Sequence, residues 1–192
     1  MKALIHTYTS ESVLDNPSYL YDIYSVLLES QEWYPEIFKW YFKKFVPNMI
    51  NGKRHIIKYH VGSDMTGIAL LKKEDNEKKI CTFRVKSKYR RNGIGKRLFG
   101  KCVEILNTER PMITVSAERL CYFKNIFKYY DLKLEQVLEG YYRENSSEYV
   151  FNGYLDSKKI PFNKGRSEAS EDKYTYFNQF LLENSKTMND IV

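Results

Sequence analysis

Apolar residues recur along this chain with two periods, and the switches between those periods divide it into elements. Leu4 to Thr9 alternates apolar and polar side chains, which predicts an opening strand, and Ser10 to Pro17 reads as a turn region. From Ser18 to Glu29, Leu20, Ile23, Tyr24, Leu27 and Leu28 stand at helical spacing. Beyond Pro35, which suits a first helical turn, Phe38, Tyr41, Phe42 and Phe45 repeat that spacing until Pro47 closes the second helix. His55 to Val61, Thr66 to Leu71 and Lys78 to Val85 are strand-length runs. The polar turns Gly62-Ser63-Asp64 and Glu74-Asp75-Asn76-Glu77 join them, so an antiparallel meander is expected.

The period then changes. Ile94, Leu98, Cys102, Val103 and Leu106 trace one face of a helix from Gly93 to Leu106, and Met112 to Ala117 is an apolar run of strand length. Tyr122, Phe123, Ile126, Phe127 and Tyr130 predict a helix from Leu120 to Tyr130, ahead of two strands near Leu134 to Tyr142 and Glu148 to Tyr154. This order makes the fold class α/β of the α+β type, with a mixed sheet. Asp156 to Asp172 is polar and interrupted by Pro161 and Gly165, whereas Tyr174, Phe177, Phe180 and Leu181 suit one late amphipathic helix. The expected division is a domain over residues 1–154 and an extension over 155–192, without an internal repeat.

Composition narrows the class. The 192 residues suffice for a hydrophobic core, and no apolar run is long enough to cross a bilayer. Residues Met1 to Thr7 lack a secretory h-region and cleavage site. Cys81, Cys102 and Cys121 are odd in number and have neither paired-motif nor zinc spacing, so they read as reduced thiols in a cytoplasm. His6, His55 and His60 are scattered in sequence, and no metal is expected. The net charge of +7 lies wholly before residue 155, because the tail carries six acidic and six basic residues. A basic body suits an anionic partner, whether a phosphorylated cofactor, a nucleic acid or an acidic protein surface.

The stretch Val85-Lys86-Ser87-Lys88-Tyr89-Arg90-Arg91-Asn92-Gly93-Ile94-Gly95-Lys96-Arg97-Leu98 concentrates that chemistry. Two glycines one residue apart let the backbone approach a ligand, and a helix starting there aims its unpaired amides at the same point. Seven basic residues and no acidic one lie between Lys86 and Lys101, although a helix start ordinarily favours acidic side chains. A solvated basic turn is the plainer reading of such a glycine pair; the strand, loop and helix order favours an anion cradle. A Walker loop is absent, and G-x-G-x-x-G does not fit, since eight positions separate Val85 from Gly93.

Arg90, Gly93 and Gly95 instead occupy the fixed positions of R/Q-x-x-G-x-G/A, and the segment resembles motif A of the GNAT superfamily of N-acetyltransferases. The element order is similar over about residues 3 to 154. The resemblance implies a central mixed, mostly antiparallel sheet flanked by helices, with splayed central strands whose gap takes pantetheine. It implies acetyl-CoA as donor, held by the backbone from Arg90 through Arg91, Asn92, Gly93, Ile94 and Gly95 to Lys96. Arg90, Arg91 and Lys96 would add charge, Val85 would bond pantetheine, and an amide near Phe83 or Val85 would meet the thioester oxygen.

The acceptor implied is a primary amine of a small molecule, peptide or protein, which attacks the thioester directly. That chemistry calls for a proton acceptor, an oxyanion donor and a proton source for the thiolate. The family's general-acid tyrosine falls on Phe127 here, leaving Tyr129 or Tyr130 as sources, and Lys79 stands where some relatives carry a glutamate base. Glu118, or a water chain, is left for the base, with Ser116 beside it; Glu118 is equally suited to capping the next helix. The aromatic run from Trp33 to Phe42 lies where the family shapes acceptor choice, although Phe38, Tyr41 and Phe45 also read as core. Cys121 as a nucleophile has no histidine near it in sequence. Two other readings stay open: an aminoacyl-tRNA-acetylating toxin using a basic RNA surface, and a non-catalytic acyl-CoA sensor. The tail would serve as a dimerisation element, a lid or a loose extension.

Overall fold

The computed structural model describes residues 3–8, 18–49 and 51–156. The late helix expected around Tyr174 to Leu181 lies outside them. The chain divides into two compact units, Met1–Thr114 and Val115–Val192.

The first unit is built on strands β1 (Ala3–Tyr8), β2 (Arg54–Val61), β3 (Asp64–Glu74) and β4 (Glu77–Val85), each antiparallel to the next. Strand β5 (Met112–Ser116) then runs parallel to β4. The expected meander is therefore present, with β3 reaching three residues beyond Leu71. Between β1 and β2 the chain forms α1 (Ser18–Leu28) and α2 (Ile37–Trp40). A π-helical turn (Tyr41–Phe45) and a 3-10 turn (Val46–Asn48) containing Pro47 extend α2. The row of α2 is spaced by four, since Ile37, Tyr41, Phe45 and Met49 are all buried. An ideal helix of 3.6 residues per turn would rotate such a row away from the core, and a widened π turn keeps it in line.

This widening corrects one expectation. Tyr41 and Phe45 are core, but Phe38 is 56% exposed. It packs at the surface against Tyr24 and Phe42, with ring centroids 5.6 and 5.0 Å away. Ile23 and Leu27 of α1 join Ile37, Tyr41, Phe45, Ile56, Ile68 and Leu70 in one apolar cluster. The Tyr41 hydroxyl donates to the Leu20 carbonyl at 3.1 Å, which ties α2 to α1.

On the opposite sheet face lies α3 (Ile94–Leu106), whose Ile94, Leu98, Phe99, Cys102 and Leu106 are buried. Helix and sheet come close because Gly67 of β3 has no side chain. A Cβ there would stand 3.2 Å from both the Arg84 carbonyl oxygen and Leu98 Cδ2.

In the second unit a 3-10 turn (Ala117–Arg119) leads into α4 (Leu120–Tyr129), followed by the antiparallel pair β6 (Leu134–Glu139) and β7 (Ser147–Phe151). Strand β6 ends at Glu139 rather than near Tyr142, because Gly140 turns the chain at φ 64° and donates to the Ser146 carbonyl. Leu120, Phe127, Val137, Tyr149, Val150 and Phe151 form the buried side of this unit.

Candidate active site

The segment from Val85 to Arg97 forms a braced turn at the start of α3. Lys86 donates its amide to the Thr66 carbonyl at 2.9 Å, which continues the β3–β4 pairing by one step. Ser87–Tyr89 then makes a 3-10 turn, closed by the amides of Tyr89 and Arg90 on the carbonyls of Lys86 and Ser87. Asp64, at the start of β3, fastens this arm from outside by accepting from the Tyr89 hydroxyl and, at 3.4 Å, from Lys88 Nζ. Those two donors, Tyr89 first, hold the Asp64 carboxyl below its ordinary value. Arg90 Nε donates to the Val85 carbonyl at 3.0 Å. Part of the charge assigned to a pyrophosphate is thus also used to fold the arm onto its own strand.

The glycine turn follows. Arg91 has φ 65° and Gly93 has φ 73°, both in the left-handed region. Gly93 occupies the N-cap of α3, and no side chain caps the helix. The amides of the first turn therefore lack intrahelical partners and point outward. Arg97 closes the turn, its amide on Gly93 O and its guanidinium on Asn92 O, each at 3.1 Å. Arg91, Asn92, Gly93 and Lys96 are exposed, Gly95 is half-buried, and Ile94 is buried as the helix anchor. A non-glycine residue in this backbone region costs about 1 kcal/mol or more. The strain at Arg91 sits in the loop that the sequence resemblance assigns to the cofactor.

Two irregularities of β4 coincide. Leu70 pairs with Thr82 and Leu71 with Ile80, so Cys81 is an extra residue in β4, a bulge. Among the described residues the β4–β5 ladder comprises only Lys79 with Met112 and Ile80 with Ile113. The pairing of the two parallel strands therefore stops beside the Cys81 bulge. Phe83 is half-buried, and its ring meets Phe99 of α3 edge-on at 5.8 Å. Splayed central strands are what the sequence resemblance implied. Lys79, at the position of a relative's glutamate, is 8% exposed within the sheet.

In the second unit the candidates for proton transfer are placed as follows. Glu118 accepts from Arg143 and from Ser146 Oγ at 3.3 and 3.4 Å, so it ties the 3-10 turn to the β6–β7 connection. It does not cap α4, whose N-cap Arg119 makes no side-chain capping bond. Partial burial raises the Glu118 carboxyl, but its own backbone amide, Ser116, Arg143 and Ser146 outweigh this and hold it below the usual range. Ser116 is 3% exposed. Phe127 is 3% exposed, with its ring 4.2 Å from that of Phe151. Tyr129 is 59% exposed; Tyr130, at the C-cap of α4, is half-buried and meets the Tyr129 ring edge-on at 4.9 Å.

Long-range contacts carry what sequence reading missed. Asp64 reads as a turn residue, and its partner Tyr89 lies 25 positions away. His6 and His60, distant in sequence, stack edge-on at 5.3 Å across β1 and β2. Among the described residues no three His, Cys, Asp or Glu side chains gather in a metal-binding group, and no helix is long and apolar enough to cross a membrane. The three cysteines are free thiols, with Cys102 buried and Cys121 exposed.

Comparison with known proteins identifies the family and the fold. The family described as Acetyltransferase (GNAT) domain matches residues 6–130. A search of curated proteins finds no match. Among solved structures, a GNAT-family acetyltransferase of Desulfovibrio desulfuricans superposes with a TM-score of 0.54 at 17% identity, covering 78% of this chain and 97% of its own. The PaiA N-acetyltransferase of Thermoplasma acidophilum, in complex with coenzyme A, gives 0.53 at 18% identity, over 80% of this chain and all of its own. Arabidopsis thaliana NAA60, in complex with acetyl-CoA, gives 0.53 at 16%, over 78% and 97%. At these identities the likeness is one of fold.

Proposed function

Because the chain belongs to the GNAT acetyltransferase family, an acyltransferase family, we propose that it takes an acetyl group from acetyl-CoA and delivers it to a primary amine by direct attack on the thioester. The observation that carries the proposal is the braced turn at Gly93. Its left-handed backbone opens the α3 N-terminus beside a basic arm, and nothing in the first turn of the helix is acidic. The amides from Arg90 to Lys96 would hold the pyrophosphate, with Arg91 and Lys96 supplying exposed charge and Arg90 both bracing and charging the loop.

Beyond the Cys81 bulge, the β4 edge supports the remaining assignments. Val85 and Phe83 would offer backbone groups to pantetheine and to the thioester oxygen, a fixed donor of the kind that stabilises a developing oxyanion. Tyr130, half-buried at the end of α4, is the better of the two tyrosines as proton source, because Tyr129 is largely in solvent. Glu118 is assigned to proton removal through water, and its own backbone amide, Ser116, Arg143 and Ser146 together keep it charged. A base held below its ordinary pKa is a weak one, so Glu118→Gln should slow turnover by about tenfold rather than abolish it. The acceptor is an amine of a small molecule, peptide or protein.

Titration calorimetry with acetyl-CoA on wild type and Gly93→Trp, followed by thiol release across an amine panel, tests this reading. Micromolar-range binding that the substitution removes, together with amine-dependent thiol release, is the expected result. Absence of binding by the wild type would end the proposal.

A further inference from the structure

Two rows of basic residues cross the β2–β3–β4 meander side by side, and only one of them is neutralised. In the first row Arg54 stands opposite Lys72, and Lys72 opposite Lys79. These side chains share the sheet face of Ile56 and Leu70, which pack in the cluster with α1 and α2. Glu74 and Glu77 lie on that face and compensate the row: Glu74 accepts from Arg54 at 2.8 Å and from Lys72 at 3.1 Å, and Glu77 accepts from Lys72.

The second row is one residue further along each strand and therefore faces the other way, toward α3. Lys73 donates its amide to Lys53 O at 2.9 Å, one step beyond the Arg54–Lys72 pair, and stands directly opposite Lys78. Three ammonium side chains thus rise from three neighbouring strand segments, spread over roughly 10 Å at the spacing of paired strands. Like charges directly opposite one another destabilise a sheet. Among the described residues, however, neither Lys53 nor Lys73 has an ion-pair partner, and Lys78 Nζ donates to a carbonyl, that of Asn107.

The row lines a cleft of about 610 Å³, together with His55, two residues along β2 on the same face, and Asn107 at the C-cap of α3. That volume is in the range of small-molecule sites. His55 Nε2, in this wall, is buried without a hydrogen-bond partner. The carboxylates at the cleft limit what it can take. Glu74 is already used by Arg54 and Lys72, but Asp75, in the β3–β4 turn, would repel an extended polyanion running out past the lysines. The cradle at Gly93 lies at the other end of α3, 13 residues or about 20 Å away. A pyrophosphate held there is not the anion these lysines meet.

We propose that the cleft lined by Lys53, Lys73 and Lys78 is a second anion site, which takes a small polyphosphate, either free or carried by a nucleotide. The inference stands on the lysine row and is independent of the acetyltransferase reading.

The test is titration calorimetry of the full chain at about 0.15 M ionic strength, with tripolyphosphate and, separately, ATP. Wild type is compared with Lys53→Gln/Lys73→Gln and with the cradle variant Arg91→Gln/Lys96→Gln. Lys53 and Lys73 are exposed, so their replacement preserves the fold. One-to-one binding should weaken at least about tenfold in Lys53→Gln/Lys73→Gln and less than about twofold in the cradle variant. Tripolyphosphate should also raise the urea midpoint of the wild type and leave that of the lysine variant unmoved. Equal affinities for the two probes would place recognition in the phosphate chain, and tighter ATP would assign a nucleotide as its carrier; both support the site. Absence of binding at this ionic strength, binding indifferent to the two lysines, or binding lost in the cradle variant overturns it. An oligouridine held more tightly than tripolyphosphate, with the same lysine dependence, overturns the small ligand in favour of RNA.

Discussion

Gly93 and Gly95 differ in what they ask of the backbone. Gly93 holds φ at 73°, and an added Cβ would find Arg97 Nη2 no nearer than 3.7 Å. The demand is thus conformational rather than steric. Gly93→Ala should lower unfolding free energy by about 1 kcal/mol, and, if the same strain loosens the cradle, weaken acetyl-CoA about fivefold, since 1.4 kcal/mol is a factor of ten. Urea unfolding and calorimetry measure the two, and an unchanged pair of values would show that the loop tolerates a side chain at this φ. The need for glycine was legible in the sequence because spacing alone places it at a helix start. The brace around it was not. Arg97 reads as an ordinary helical arginine, and only the folded turn brings its guanidinium to Asn92 O. Glu118 shows the same limit: its position after an apolar strand suggested a cap or a base, while its partners, Arg143 and Ser146, come from a connection 25 and 28 residues later.

At the scale of elements, periodicity places every described helix and strand to within a few residues, because each buries one regular face. It fails where the period itself changes. The row Ile37, Tyr41, Phe45, Met49 is accommodated by a π turn, and a reading at 3.6 residues per turn therefore buried Phe38, which the structure exposes. The Cys81 bulge is equally silent in sequence, since one extra residue in a strand leaves no compositional trace. Gly67 is a packing glycine rather than a turn glycine, at the contact between β3 and α3. Gly67→Val should reduce stability by about 1–3 kcal/mol, the range for overpacking, because Leu98 can shift but the Arg84 carbonyl belongs to the ladder. Denaturant melts check this, and a variant as stable as wild type would mean that α3 can lift from the sheet without loss.

Across the whole molecule, the net charge of +7 makes pH dependence informative. Burial first, then Lys73, holds the His55 imidazole below its usual 6.5, and burial, His6 and Lys58 do the same for His60. In the unfolded chain both take protons near 6.5, while in the folded chain they do so only at lower pH. Above 6.5 the two states differ little. As pH falls below it, the unfolded state binds protons that the folded state refuses, so stability decreases. The urea midpoint should fall between about pH 7 and about 5.5, and the double variant His55→Gln/His60→Gln should flatten that fall; a flat wild-type profile would contradict the assignment. Asp64, Glu74 and Glu118 are held low and contribute at more acid pH, where protonation as pH falls through their folded values removes their support. The β4–β5 ladder, two pairs long, reaches further than the active site. An unfinished strand edge solicits other strands, and a donor bound along it, as proposed, would supply the missing partners. By mass action, a ligand specific to the folded state at a hundredfold excess over its Kd adds about 2.7 kcal/mol. Donor supply would then govern how long the enzyme survives as well as how fast it works, and a cell short of acetyl groups would lose the catalyst along with its substrate.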